Sequence, residues 1–566
     1  MYQRVKMAAI QVKRPSSSAA IIPAMKRAIV ILAILLISCR SLAPIQTSTP
    51  LEVYEEVTPT LSPTATVAPV TPSLTPPPSS TPTPTSPVHT PAIPVQISGF
   101  SVHVHPDGGL YVGDQVSFEV IAPQGAELND QEVTIQVGSS PEVVLGSAKF
   151  QPYGLEGRSQ ATQVWGWDTH GLSPGTYTFT FSIPTQAAAF TQTVTLQSES
   201  ARPAVETGAH WASVESQCCV FNYITGTSAE RDINKLLYVA DQQAEDVISS
   251  FGITYTDTFT VTLLPRVLGH GGFANEEISI SYLDENYAGS DFETVLHHEM
   301  VHILDKHLEG DLRPDLLVEG LAVYLTGGHY KREDLMPRAA ALLDLPAADR
   351  GGNQGWYLPL KPLIENFYAS QHEIGYVEAG ALVEYMINRW GWEAFINFYR
   401  DIHAIENGSQ FDALGAALLK HFRITPWELE QDFLAELRGQ EYTPEQREDL
   451  RLTVYYYDTM RRYQVLLDPS AYFRTAWLLD NKEMRQREIV ADYLRRPSEP
   501  VNIEIEGMLM AAQKHLLAGR FTDVDTILHS INSKLDLIEY PEIVIIPDGF
   551  LGINQSSETI LLGSEG

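Results

Sequence analysis

The sequence predicts a multidomain chain in which a β-sandwich is followed by an α+β domain and then by a mainly helical C-terminal extension. Three observations carry this. Hydrophobic residues alternate with a period of two between Val95 and Gln197. From about Ala209 strand and helix patterns mix, and beyond Asp291 helical periodicity runs almost unbroken to about Leu437, the order of an α+β domain with strands early and helices late. Pro444–Arg496 and Ile503–Ser533 again repeat with a helical period. At 566 residues the chain has room for about three or four domains, and the composition shifts divide it into segments 1–39, 40–94, 95–200, 205–440 and 441–566.

In the first segment Met25-Lys26-Arg27 precedes an apolar run from Ala28 to Ile37 and then Ser38-Cys39. A basic start before an apolar run too short to span a bilayer marks a signal peptide. Met25 makes the better start, which leaves residues 1–24 as upstream read-through or an extended basic region. Leu36-Ile37-Ser38-Cys39 resembles the bacterial lipobox, whose cysteine is acylated and becomes the mature N-terminus. The resemblance implies lipid modification of Cys39 and a membrane anchor there; the alternative is an ordinary signal or uncleaved anchor with an incidental cysteine. Only Cys218 and Cys219 remain, and neighbours cannot staple distant segments, so an exported protein without a disulfide framework is expected. Residues 40–94 are dominated by Thr, Pro and Ser and cannot bury enough apolar surface to fold, which reads as an extended stalk.

Thirty-eight Lys and Arg against seventy Asp and Glu give a formal net charge of -32. Such a surface repels nucleic acid and anionic membrane faces, so no nucleic-acid partner is expected, and it keeps an exported protein soluble.

The sandwich is written in alternation. Val116, Phe118 and Val120 face opposite Gln115, Ser117 and Glu119; Val133, Ile135 and Val137 repeat the pattern; Tyr177, Phe179, Phe181 and Ile183 follow a Pro174-Gly175 turn. About seven strands fit between 95 and 200, which resembles an immunoglobulin-like sandwich. Such a module serves as a spacer or binds a cell-surface ligand, and fold alone favours the spacer.

The chemistry lies further on. Thr294-Val295-Leu296-His297-His298-Glu299-Met300-Val301-His302 contains HExxH, and Ser290-Asp291-Phe292-Glu293 is read as a capping box that starts its helix. Four residues make about one helical turn, so His298 and His302 project from one face, while Glu299 is rotated about 100° toward the open coordination position. His297 therefore points off the metal-binding face. Asp305, one turn beyond, either orients a ligand imidazole or is solvated at the helix end. A catalytic zinc takes three protein ligands and leaves a position to water. The third candidate is Glu319, seventeen positions after His302, on a helix that Pro314 opens and Gly327-Gly328 closes. Small Gly320 and Ala322 are expected to let this helix approach the HExxH helix. Upstream, His270-Gly271-Gly272-Phe273-Ala274-Asn275 reads as a glycine-rich turn leading to an edge strand at Ile278-Ser279-Ile280-Ser281 that aligns substrate backbone.

These residues resemble the gluzincin metallopeptidases, which include thermolysin-like and aminopeptidase N-like enzymes, with the closest likeness to bacterial peptidase MA-like domains. The resemblance covers about residues 210 to 437, including Phe221-Asn222-Tyr223, Ala229-Glu230-Arg231-Asp232, the HExxH, Glu319-Gly320-Leu321-Ala322, Tyr376 to Ile402 and Phe422 to Glu430. It implies an α+β gluzincin-type fold, one Zn2+ on His298, His302 and Glu319, and Glu299 as the catalytic base. It also implies Tyr376 as oxyanion donor, although Glu378-Ala379-Gly380 stands where aminopeptidase relatives have Lys-Gly; Tyr368 and His372 lie near enough in sequence to replace it. The Gly-x-Met-Glu-Asn motif that grips a free N-terminus in the aminopeptidase branch is not reproduced.

The expectation is a zinc metallopeptidase hydrolysing peptide or protein substrates, endo- or exopeptidase undecided, anchored through Cys39 at the outer face of a bacterial membrane. The alternatives are a surface-binding or spacer lipoprotein with a relic peptidase fold, and a zinc hydrolase acting on a non-peptide substrate.

Overall fold

Alternating apolar residues build the first domain. A computed structural model describes residues 99–561 apart from 139–142, 187, 309, 347–354, 371, 541–542, 547–549 and 556–557. The signal segment, Cys39 and the stalk lie outside the described residues. Strands β1 (Ser101–His105), β2 (Leu110–Tyr111), β3 (Gln115–Ile121), β4 (Glu132–Val137), β5 (Val143–Tyr153), β6 (Arg158–Asp168), β7 (Gly175–Ile183) and β8 (Ala188–Gln197) follow in order β1-β3-β6-β5-β4-β7-β8-β2. The long β5 pairs with β4 through its first part and with β6 through Phe150–Tyr153, so one strand belongs to two sheets. The sheets close on each other through their inward residues: Phe118 of β3 meets Phe179 of β7 at 5.0 Å between ring centroids, and Trp167 of β6 meets the same ring at 4.9 Å. Strands number eight against the seven expected, because the two-residue β2 is too short to show a period.

The second domain opens with β9 (Trp211–Glu215) and β10 (Cys219–Ile224), then α1 (Ser228–Phe251), β11 (Phe259–Leu264), β12 (Gly272–Ala274) and β13 (Ile278–Ser281). Their order is β12-β13-β11-β10-β9, with β10, β11 and β13 parallel and both outer strands antiparallel to their neighbours. The edge strand is therefore β12, the glycine-rich segment itself; Ile278–Ser281, expected at the edge, lies one strand inside, where all four of its residues are buried. Cys218 and Cys219 are bonded to each other, so the disulfide ties no distant segments together.

Helices complete the domain: α2 (Phe292–Asp305), α3 (Asp315–Thr326), α4 (Leu335–Ala341), α5 (Leu360–Glu365), α6 (His372–Trp390), α7 (Trp392–Arg400), α8 (Gln410–His421) and α9 (Pro426–Leu437). Gly327 closes α3 in the left-handed region at φ 78°, where a Cβ is strained. The small residues of α3 serve a different neighbour from the one expected. A Cβ on Gly320 would lie 2.5 Å from the Ala379 carbonyl oxygen, and one on Gly380 would lie 2.4 Å from Val323 Cγ1, so the glycines serve the approach of α3 to α6, while α3 also packs against α2.

The extension holds α10 (Pro444–Leu467), α11 (Asn481–Gln486), α12 (Ala491–Leu494) and the hairpin α13 (Pro500–Leu517) and α14 (Phe521–Glu539). Its last described residues form a three-stranded antiparallel meander, β14 (Ile543–Ile546), β15 (Phe550–Gln555) and β16 (Glu558–Leu561). Among the described residues no helix is long and apolar enough to cross a membrane.

Extension and sandwich are bolted together. The Arg495 guanidinium, buried, forks onto Asp114 at 2.6 and 2.9 Å and onto Glu206 at 2.6 Å. His105 of β1 stacks on Trp477 at 4.0 Å, and buried Arg266 bridges Asp468 at 3.1 Å and Asp107 at 3.3 Å. A paired, multiply hydrogen-bonded charge is what such burial requires. The hairpin tip between β5 and β6 reaches the second domain's cleft: Tyr153 Oη donates to the Ala476 carbonyl at 3.0 Å and the Glu156 amide to the Arg474 carbonyl at 3.2 Å. The module read as a spacer thus supplies Gly154 and Leu155 to the wall of that cleft.

Candidate metal centre

The apolar stripe of α2, Leu296, Met300, Val301 and Leu304, is fully buried, and this fixes the helix roll. The cap is Asp291, whose carboxylate accepts the Thr294 amide at 2.9 Å; Ser290, taken as the start of a capping box, instead lines the cleft. With the roll set, His298 and His302 face a cleft of ≈ 610 Å³, and α3 brings Glu319 to them.

The three side chains converge. Glu319 Oε2 lies 3.2 Å from His298 Nε2 and 3.3 Å from His302 Nε2. A tetrahedral ion with bonds of roughly 2.0–2.1 Å has ligand-to-ligand edges of roughly 3.3–3.4 Å, so this spacing fits zinc, and two imidazoles with a carboxylate are a known catalytic donor set. The second carboxylate oxygen is held elsewhere: Tyr368 Oη donates to Glu319 Oε1 at 2.7 Å. That bond fixes which oxygen faces the ion, an orienting device typical of metal sites. Tyr368 is thereby committed to Glu319 and is not the free donor considered in place of Tyr376.

Electrostatics follow the geometry. Burial pushes the Glu299 carboxyl up to about 7, and its Oε2 has no hydrogen-bond partner among the described residues. Burial alone would also lower both histidines. It takes His298 down to about 4, whereas Glu319 and then Glu299 overcome it at His302 and raise that group to about 9. Burial works against the Glu319 anion, but His302 and hydrogen bonds from both imidazoles hold its carboxyl well below the usual range.

The strand β12 runs beside α2 so closely that a Cβ on Gly272 would lie 2.4 Å from Val295 Cγ1 and 2.9 Å from Glu299 Oε1. Gly271 and Asn275 spend main-chain groups on the β13 side, accepting from Ser281 and donating to Glu277. Alternation then turns the main-chain groups of Gly272 and Ala274 to the open edge, where Lys306 Nζ approaches the Ala274 carbonyl at 3.4 Å.

The remaining residues sort as follows. His297 turns away from the site and its Nδ1 meets Gln243 Oε1 at 2.9 Å, as its position on the helix required. Asp305 is not solvated: it is buried and paired with Arg313 at 2.9 Å. Tyr376 lines the cleft with its ring centroid 6.3 Å from that of His298, and its hydroxyl makes no hydrogen bond to a described residue. His372 lies beneath the cleft, with His329 and His270 beside it. Sequence reading missed His329, which sits in the loop after α3 with no periodic signal, and it missed the cleft wall built by Leu155, Phe473, Arg474 and Leu478.

Fold and site together define a two-histidine, one-glutamate constellation with the geometry to hold a metal ion, beside a buried carboxylate on an α+β scaffold. No family model matches the chain, and no curated protein matches it significantly. Among solved structures the chain matches a crystal structure of an aminopeptidase N family protein from Idiomarina loihiensis at 10% identity, over 60% of this chain and 73% of that one, with a TM-score of 0.23.

Proposed function

We propose that this chain is a zinc metallopeptidase of gluzincin type that hydrolyses peptide bonds. The reading is carried by one observation, the convergence of His298, His302 and Glu319 at zinc spacing beside a buried Glu299 carboxylate whose Oε2 has no hydrogen-bond partner among the described residues. When bound, zinc supplies Lewis-acid polarisation of the scissile carbonyl and a water that ionises near neutral pH. His298, His302 and Glu319 are the residues that hold it. Glu299 takes a proton from the attacking water and returns it to the leaving nitrogen. The Tyr376 hydroxyl, without a hydrogen bond to a described residue, donates to the carbonyl oxygen as negative charge develops there. The open edge of β12 offers main-chain groups to a substrate drawn out as an added strand, which gives affinity with little dependence on side chains.

The proposal includes export and anchoring through acylated Cys39, so that the enzyme works at the outer face of the membrane. Metal analysis of the purified ectodomain, followed by a mixed peptide library with wild type and Glu299→Gln, tests the catalytic part. Zinc in both proteins with cleavage by wild type alone supports it. Zinc in both with equal inactivity would favour a binding protein on a relic fold, and absence of metal would end the enzyme reading.

A further inference from the structure

Beside the first constellation stands a second group of nitrogen ligands that the proposed hydrolysis does not use. His270 comes from the turn before β12, His329 from the loop after α3, and His372 from the first turn of α6; one ring nitrogen from each lies within 4.8 Å of the others. Such convergence from three separate segments is not a by-product of helix spacing. His372 is 3% exposed, and neither of its ring nitrogens has a hydrogen-bond partner among the described residues. Every imidazole carries at least one N–H or lone pair on each nitrogen, so burying both unpaired costs free energy that a ligand at the lone pair would offset. His329 is oriented from behind: its Nδ1 meets Glu373 Oε2 at 2.8 Å, and that carboxylate is itself buried. A carboxylate behind an imidazole, leaving Nε2 forward, is the usual support of a metal-binding histidine.

We infer that His270, His329 and His372 form a second metal site, which takes a divalent ion of the kind that favours imidazole, Zn2+ first among them. Three imidazoles and no acid suit zinc, copper or nickel and do not suit magnesium or calcium. His270 and His329 line the cleft, so an ion has a route in, and His372 lies below them. Two cations among the described residues bear on the cluster: the Arg461 guanidinium lies 4.0 Å over the Phe473 ring, which has His270 at 5.3 Å and His372 at 5.6 Å, and Arg338 meets Glu373 Oε1 at 3.4 Å. Glu373 supplies opposing charge. The three rings bring no carboxylate to the ion, so the second site lacks the anionic donor that Glu319 gives the first and binds its ion more weakly. Its work is positional. Tyr376 stacks on His329 at 4.1 Å and lies 4.4 Å from His372, so an ion joining those two rings holds the tyrosine that faces His298.

The test is metal stoichiometry, which does not depend on activity. The chelator-stripped full ectodomain is titrated with Zn2+ by calorimetry, and with Co2+ by its visible absorption. Two equivalents are expected for wild type, the second weaker, and one for His372→Ala, with the tight equivalent retained. His270→Leu, at the cleft surface, gives the same result if His372→Ala fails to fold. His298→Ala is expected to lose the tight equivalent and keep the weak one. A single equivalent in wild type overturns the site, as does an undiminished second equivalent in His372→Ala and His270→Leu. Two equivalents in a protein that cleaves no peptide would leave this inference standing while the peptidase reading fails.

Discussion

Tyr368 holds one oxygen of Glu319 at 2.7 Å and so presents the other to His298 and His302. The carboxylate is pre-aimed before any ion arrives. Tyr368→Phe removes this restraint while leaving all three ligands in place. Zinc affinity, measured by competition with a chromophoric chelator, is expected to fall roughly 10- to 100-fold. Turnover at saturating zinc should stay near wild type. An unchanged affinity would show that packing against α6 alone orients Glu319.

Glu299→Gln separates binding from chemistry. Zinc stoichiometry is expected to match wild type while peptide hydrolysis falls at least a thousandfold, on the order of 4 kcal/mol of transition-state stabilisation. The same variant carries a pH signature in metal-free protein. The folded carboxyl sits at about 7 against an ordinary 4.5, because burial disfavours its charge. A raised folded pKa stabilises below the unfolded value and loses that contribution as the pH rises through the folded one. Wild type should therefore lose stability relative to Glu299→Gln between pH 4.5 and about 7, by on the order of 3 kcal/mol. Parallel denaturation curves across that window would contradict it.

Gly272→Ala tests the closeness of β12 to α2. The added methyl meets Val295 at 2.4 Å and the Glu299 carboxylate at 2.9 Å, and the strand must move outward or the base must turn. Overpacking of this kind costs roughly 1–3 kcal/mol. A lowered Tm and a lower kcat with zinc content intact are expected; a wild-type kcat would place the catalytic carboxylate outside this contact.

Leu155→Asp tests the wall supplied by the sandwich. Leu155 is 48% exposed and lines the cleft. For peptides with apolar side chains kcat/KM is expected to fall roughly tenfold, about 1.4 kcal/mol of lost apolar contact, with Tm and zinc content unchanged. Equal kcat/KM across a peptide panel would return the sandwich to a purely structural role.

What was legible in the sequence was whatever repeats with a fixed period. His298 and His302 share a face because four residues make a turn, and the strands of the sandwich alternate because one sheet face is buried. What was illegible depends on segments far apart in the chain. Gly320 is small in either reading, and only the packed structure shows that Ala379 rather than α2 is what it touches. His329 lies in a loop, and nothing in its neighbours announces that His270 and His372 converge on it. The role of the hairpin between β5 and β6 depends on Arg474 and Ala476, more than three hundred positions away.

The fork of Arg495 on Asp114 and Glu206 has a consequence for how this protein is divided. Because it ties the extension to the sandwich, and the sandwich lends Gly154 and Leu155 to the cleft, residues 205–440 do not enclose that cleft by themselves. A cut in the stretch before β1 leaves both walls of the cleft together. A cut after β8 leaves a protein with its metal ligands in place and one side of its cleft open to water. On the proposed reading, limited proteolysis before β1 changes where this molecule acts without changing what its cleft accepts.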